Sequence, residues 1–213
     1  PERPSKLGNE PASPSRDDHH HTVGTTRAMG MELEMTDKAN KPIRIFLVTA
    51  YLPCSSYSAE EYEEALAQVQ SLIDECPKQS LLVIGGDFNA SIGVSENSHT
   101  ATGPYGNPHR SENGETMRNF MEMNELTSAA TYFKKPNYDT WSFARKNKNP
   151  RQIDHIMVKQ KDRRTIANCE THDETGITSD HLMVRATLRI TAHIPKKTAR
   201  TDKTTDNDAN PKR

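Results

Sequence analysis

The apolar run Leu81-Leu82-Val83-Ile84 limits the fold of this chain more than any other feature of its sequence. The run is short, it contains no polar residue, and Gly85-Gly86-Asp87 follows it directly. A strand with one face in water alternates apolar and polar residues, whereas a strand buried on both faces is continuously apolar. We therefore expect a sheet that has other layers packed on both of its sides.

A β-hairpin and a helix are predicted before this strand. Residues 31–35 alternate apolar and charged side chains, and residues 43–51 form an apolar, β-branched run after a turn-rich segment. Ser58 and Glu61 have the spacing of a capping box, which marks the start of a helix. Apolar residues at helical spacing then continue until Pro77 ends the helix.

A second, shorter helix is predicted around residues 117–126, after a long polar loop. Strand-like runs follow at residues 128–133, 140–143, 153–158, 165–170 and 181–190. Several strands with two helices and no internal repeat predict an α+β fold, arranged as a layered sandwich rather than as a series of βαβ units.

The two ends of the chain differ in composition from its middle. Apolar residues make up 32% of the sequence, against about 45–50% in typical globular chains, so part of the chain is not expected to pack. We expect a disordered leader over residues 1–29, a domain over residues 30–190, and a disordered basic tail over residues 191–213. The tail carries six Lys or Arg and three Asp.

Charge and cysteine content set the expected partners and compartment. The formal net charge is −1, which neither favours nor excludes a nucleic-acid partner. No apolar run approaches the roughly 20 residues of a membrane span, and we find no secretory signal. Three cysteines are too few for a disulfide scaffold. We expect an intracellular monomer without a membrane partner.

Three groups of polar residues lie at the ends of predicted strands, where a buried sheet would hold them rigidly. Asp87 and Asn89 follow the apolar strand with the same parity, so a carboxylate and an amide emerge together. Asp154 is an acid embedded in an apolar strand, where a charge is costly unless it is paired or binds a metal. Asp180 and His181 place an acid and an imidazole side by side before a further strand.

Each group also has a purely structural interpretation. The segment 86–89 fits a turn capped by its own Asx side chains. Asp154 has a possible salt-bridge partner in Arg151, and an isolated His181 would more often be a hydrogen-bonded core residue. The combination and order of the three groups favour chemistry over coincidence.

That combination resembles the endonuclease/exonuclease/phosphatase superfamily, and in particular the endonuclease domain of non-LTR retrotransposons, which is related to apurinic-site endonucleases and pancreatic DNase. The resemblance covers roughly residues 30–190. It is carried by Gly86-Asp87-Phe88-Asn89, Ile153-Asp154-His155-Ile156 and Ser179-Asp180-His181, with Thr49-Ala50-Tyr51-Leu52-Pro53 and Tyr138-Asp139-Thr140-Trp141-Ser142 in support.

The resemblance implies a four-layer α/β sandwich, in which two sheets pack face to face with helices outside. It also implies hydrolysis of a phosphodiester with Mg²⁺ or Mn²⁺. By this analogy Asp87 orients or deprotonates the attacking water, and Asn89 positions the water and the phosphate. Asp180 helps to hold the metal. His181 binds a phosphoryl oxygen, with its tautomer fixed by Asp154.

The resemblance also implies contacts with the phosphate backbone of DNA, the expected partner. Tyr51 would hydrogen-bond the phosphate, and Thr140 would approach the backbone. Arg145 and Arg151 belong to a basic segment, residues 145–164, with eight Lys or Arg and two acids. The structural alternative for this segment is a solvated basic hairpin. A DNA substrate would imply a nuclear location.

Members of this superfamily carry further strands upstream, with an Asn at a strand end and a Glu, usually in a Gln-Glu pair, that is a main metal ligand. Residues 1–42 supply neither. We therefore expect the C-terminal part of such a domain, a retrotransposon-type endonuclease whose activity is near background. The alternatives are a catalytically inactive remnant or binding module of the same fold, or an enzyme acting on a non-nucleic phosphoester such as an inositol phosphate or a sphingolipid.

Overall fold

The computed structural model describes residues 22–37, 39–95, 101–136, 141–143, 150–172 and 178–190. Its strands are β1 (Thr22–Gly24), β2 (Ala28–Thr36), β3 (Pro42–Tyr51), β4 (Leu81–Asp87), β5 (Leu126–Ser128), β6 (Asp154–Lys159), β7 (Ile166–His172) and β8 (Met183–Leu188). Its α-helices are α1 (Ala59–Glu75) and α2 (Glu112–Met123), and 3-10 helices span Ala129–Tyr132 and Gln160–Thr165.

Six strands form the main sheet in the order β1-β2-β3-β4-β6-β5, and β7 and β8 form a separate two-stranded sheet. Within the main sheet only β3 and β4 are parallel, with α1 as the crossover between them. The predicted hairpin is confirmed as β2 and β3, with Thr36 paired to Pro42 next to the turn. The expected α+β class is confirmed.

The main sheet is covered on both faces, as the apolar run of β4 predicted. Leu82 and Ile84 lie in one apolar cluster with residues of α1 and α2. Val83 points the other way, into a second cluster that includes Ile166 and Cys169 of β7. The two sheets therefore pack face to face, with both described α-helices on the far side of the main sheet.

The capping box predicted at the start of α1 is present. The backbone N–H of Glu61 donates to the Ser58 hydroxyl at 3.2 Å, and the N–H of Ser58 donates to the Glu61 carboxylate at 3.0 Å. This helix has 17 residues, and none of the helices in the described ranges is long and apolar enough to cross a membrane.

Three expectations from the sequence need correction. Of the strand expected at 140–143, the described residues 141–143 form only isolated bridges, from Phe143 to Arg151 and His181. Residues 22–24 form strand β1 rather than part of a disordered leader, because they pair with β2 and the partly buried Val23 packs against the core. The expected strand at 128–133 is mostly a 3-10 helix, in which the Thr131 hydroxyl donates back to the carbonyl of Ser128 at 2.7 Å. Residues 1–21 and 191–213 lie outside the described residues, so their predicted disorder stays a prediction.

Candidate active site

Three neighbouring strands end at the same place in the main sheet. Tyr51 closes β3 and pairs with Asp87, which closes β4. Asp87 also pairs with Asp154, the first residue of β6. Because adjacent strands lie about 4.8 Å apart, the sheet places two carboxylates and a phenol in one row.

His181 completes the group from the segment before β8. Its Nδ1 lies 3.0 Å from Oδ2 of Asp154, and its Nε2 lies 4.0 Å from Oδ2 of Asp87. A carboxylate only accepts hydrogen bonds, so Nδ1 carries the proton and Nε2 faces Asp87. Both carboxylates are largely buried, whereas about a third of the imidazole remains exposed.

Residues 142–143 hold Asp154 and His181 in place. The buried Ser142 hydroxyl accepts hydrogen bonds from the backbone N–H groups of Ile153 and Asp154, at 3.0 and 2.8 Å. The Phe143 ring packs edge-on against the His181 ring, with centroids 5.1 Å apart. We did not predict these supporting roles, although Trp141-Ser142 in the resemblance was a signal for them.

The turn after β4 is held from both sides by buried side chains. The Tyr62 hydroxyl donates to the carbonyl of Phe88, and the His155 Nε2 lies at hydrogen-bond distance from the carbonyl of Ala90, each at 2.9 Å. Between these carbonyls Asn89 adopts a left-handed backbone with φ of 48°. Burial lowers the pKa of His155, so its ring stays neutral and is held as a hydrogen-bonded core residue.

Asn89 is also fixed by its own contacts. Its backbone N–H donates to Oδ1 of Asp87 at 2.9 Å, which is the Asx turn considered as a structural alternative. Its side-chain amide donates to the carbonyl of Leu52 at 2.9 Å. Asp87 and Asn89 therefore form the Asx turn and also belong to the candidate site, so the structural and the chemical interpretations both hold for this segment.

Removing the hydroxyl of Tyr62 tests how much its hydrogen bond to the carbonyl of Phe88 stabilises the turn after β4. We expect Tyr62→Phe to lower the free energy of unfolding by about 1–3 kcal/mol, because the buried carbonyl of Phe88 loses its partner. The measurement is equilibrium urea denaturation. Tyr57→Phe is the matched control, since Tyr57 is 48% exposed. Equal stabilities of the two variants would contradict the role given to Tyr62.

The electrostatics of the group favour a bound cation. Burial is the main cause that raises the pKa of Asp87, and the neighbouring charge of Asp154 raises it further. The Asn89 N–H and His181 act in the opposite direction. Ligand atoms of Asp87, Asp154 and His181 all lie within 4.8 Å of one another. Carboxylate oxygens are the ligands that Mg²⁺ and Mn²⁺ prefer, so this donor set fits such an ion.

The structure does not gather every predicted site residue. Asp180 is exposed, and its carboxylate is not among the three groups that lie together, so its role as a metal ligand stays a prediction. Arg151 is exposed and pairs through its backbone with Phe143, beside His181. Thr140 and Arg145 lie outside the described residues. Their DNA contacts stay predictions.

Comparison with known proteins identifies the family. The profile of the family described as endonuclease-reverse transcriptase matches residues 45–185. The chain belongs to this family. It is thereby a member of the endonuclease/exonuclease/phosphatase superfamily, whose members are nucleases and phosphodiesterases that generally depend on divalent metal ions. The resemblance seen in the sequence is confirmed.

A curated relative is craniofacial development protein 2 of Bos taurus, which is 27% identical over 169 residues, or 79% of this chain. The chain spans only 28% of the length of that relative.

Two solved structures share the fold. The endonuclease domain of TRAS1, a telomere-specific non-LTR retrotransposon, matches with a TM-score of 0.50, 18% identity, and coverage of 82% of this chain and 71% of that chain. The 3′ phosphatase NExo from Neisseria, bound to a product DNA hairpin, matches with a TM-score of 0.55 at the same identity and coverage.

Proposed function

We propose that this chain hydrolyses a phosphodiester bond of DNA, using Mg²⁺ or Mn²⁺ held by Asp87 and Asp154. The observation that carries the proposal is the arrangement of these two carboxylates around His181, with ligand atoms within 4.8 Å of one another. When bound, a divalent cation neutralises charge that develops on the phosphate and makes a coordinated water more acidic. Asp180, beside this group in the sequence, is proposed as a further ligand.

Asp87, His181 and Asp154 are proposed to have different roles in the reaction. Asp87 accepts the proton of the attacking water through the carboxylate oxygen that does not hold the cation. Protonated Nε2 of His181 donates a hydrogen bond to a non-bridging phosphoryl oxygen, where negative charge increases in the transition state. Asp154 holds the ring in this orientation through its contact with Nδ1.

Two further residues are proposed to position the substrate. Tyr51, with 60% of its surface exposed, lies beside Asp87 and is free to donate to the phosphate. Asn89 is proposed to orient the water and the phosphate. Because its amide already donates to the carbonyl of Leu52, its orientation is set before the substrate binds.

DNA is proposed as the substrate on two grounds. The family profile is that of an endonuclease, and a solved structure with the same fold contains DNA. The basic residues of segment 145–164 are weaker support for a DNA substrate than their number suggests, because they do not all lie near the site. Arg151 lies near the site, but Lys159 lies at the opposite end of β6, roughly 17 Å from Asp154 at about 3.3 Å per residue. A DNA substrate would also place the protein in the nucleus.

The substrate class is tested by a panel of phosphoesters. Wild-type protein in excess is incubated with supercoiled plasmid, and separately with inositol phosphate or sphingomyelin, each with Mg²⁺, with Mn²⁺ or with chelator. We expect slow, metal-dependent nicking of the plasmid, since Asp87 and Asp154 are the only two carboxylates that lie together among the described residues of the site to hold the ion. Nicking that survives the chelator, no nicking with either metal, or faster hydrolysis of a non-nucleic ester would overturn the proposal.

A further inference from the structure

A cation held by two exposed aromatic rings lies beside the candidate active site. The guanidinium carbon of Arg27 is 6.0 Å from the ring centroid of Tyr51 and 5.5 Å from that of Tyr57. Tyr51 is 60% exposed and Tyr57 is 48% exposed, so both rings present surface to solvent. We call these three residues the Arg27 cluster.

The position of the cluster is fixed by the sheet. Tyr51 donates its backbone N–H to the carbonyl of Arg27 at 2.9 Å, and the N–H of Arg27 donates to the side chain of Gln68 at 3.1 Å. Tyr51 is paired in register with Asp87. Within the cluster, Tyr51 therefore lies one strand, about 4.8 Å, from the carboxylate proposed to activate water, and Arg27 lies one strand further out.

The charge of Arg27 has no acidic partner in the described part of the chain. Some other arginines there are paired with acids, among them Arg44 with Glu34 at 2.9 Å and Arg110 with Glu115 at 2.8 Å. No described carboxylate forms such an ion pair with Arg27. An arginine stacked on aromatic rings keeps its fork of N–H donors available for a phosphate.

We propose that the Arg27 cluster binds an unpaired nucleotide next to the bond that is cut. This inference rests on the proposed function and specifies its substrate. Arg27 contacts the phosphate of that nucleotide, and the ring of Tyr57 stacks on its base. In an intact duplex both faces of a base are covered by its neighbours, so only an unpaired or frayed nucleotide can stack on these rings. The protein therefore prefers DNA with a single-stranded gap to fully paired DNA.

The test measures binding in chelator, where no metal-dependent cleavage occurs. Fluorescence anisotropy compares a duplex that carries a short single-stranded gap with a fully paired duplex of the same length. Tyr57→Leu should weaken binding to the gapped DNA by roughly 5- to 150-fold, the equivalent of losing one stacked base, while Tyr57→Phe retains it. Arg27→Ala should weaken binding to both DNAs and reduce the salt dependence by about one phosphate contact.

Arg44→Ala is the control for the loss of a positive charge, since Arg44 lies towards the other end of β3 and is already paired with Glu34. It should leave binding unchanged. Equal affinity of the wild type for both DNAs, or normal binding by Tyr57→Leu, would overturn the inference even if the protein cleaves DNA. Binding through the cluster without metal-dependent cleavage would instead overturn the proposed function alone.

Discussion

Replacing His181 with alanine should lower kcat for DNA cleavage by about 100- to 1,000-fold, the usual range for losing one hydrogen-bond donor to the transition state, with little change in KM. The imidazole is held 3.0 Å from Asp154 with Nε2 directed towards Asp87, and in the proposed mechanism this nitrogen donates to the phosphate. A group that acts mainly on the transition state affects kcat more than substrate binding. Single-turnover cleavage over a range of protein concentrations separates the two effects.

His172→Ala is the matched control for this prediction. His172 is also partly exposed and also lies beside a carboxylate, that of Glu170, but on β7 of the small sheet. It should leave the cleavage rate unchanged. Asp154→Asn should cost less than His181→Ala if orienting the ring is its main task. A kcat for His181→Ala equal to that of the wild type would remove His181 from the mechanism.

The second large effect is expected on stability, at Gly86. Its φ is +155°, and an added Cβ would lie 1.9 Å from the carbonyl oxygen of Ala50 on the neighbouring strand. That oxygen belongs to the backbone of a buried strand and cannot move aside, so overlap and backbone strain add together. We expect Gly86→Ala to lower the free energy of unfolding by about 3–5 kcal/mol.

Gly85→Ala provides the control in the adjacent position. There the nearest atom, Cγ1 of Ile156, lies 3.8 Å from the added Cβ, which is an ordinary contact. Its cost should stay below about 1 kcal/mol. Equilibrium urea denaturation of both variants measures the difference. Similar free energies of unfolding for the two variants would contradict the prediction, because they would mean that β3 and β4 can move apart at Gly86 without a cost in stability.

Local sequence signals predicted those elements that local physics decides. The alternating residues 31–35 and the reciprocal Ser58–Glu61 cap each depend on a few neighbouring residues, and the strand and the helix start that they predicted are present. Burial along β2 does not alternate over residues 31–35. Strand β1 has three residues and depends on pairing with β2, so no periodicity could show it. The segment 128–133 has strand-like composition, but the Thr131 hydroxyl donates a hydrogen bond back to the carbonyl of Ser128, and residues Ala129–Tyr132 form a 3-10 helix.

The candidate site shows the same division. Asp87 and Asp154 could be placed at strand ends from the sequence, because an apolar strand precedes the first and surrounds the second. Their pairing across β4 and β6 depends on the order of strands in the sheet, which no local sequence pattern shows. The contributions of Tyr62 and Ser142 could not be predicted, because each acts on a segment distant in sequence or through a single buried hydroxyl.

The most direct test of the account is the rate of Mg²⁺-dependent plasmid nicking by the wild type and by Asp87→Asn. The substitution keeps the size of the side chain but removes both the proposed base and one charged metal ligand. The account predicts nicking by the wild type that stops with chelator, and a rate at least about 100-fold lower for Asp87→Asn. Asp87→Asn nicking DNA as fast as the wild type would contradict it.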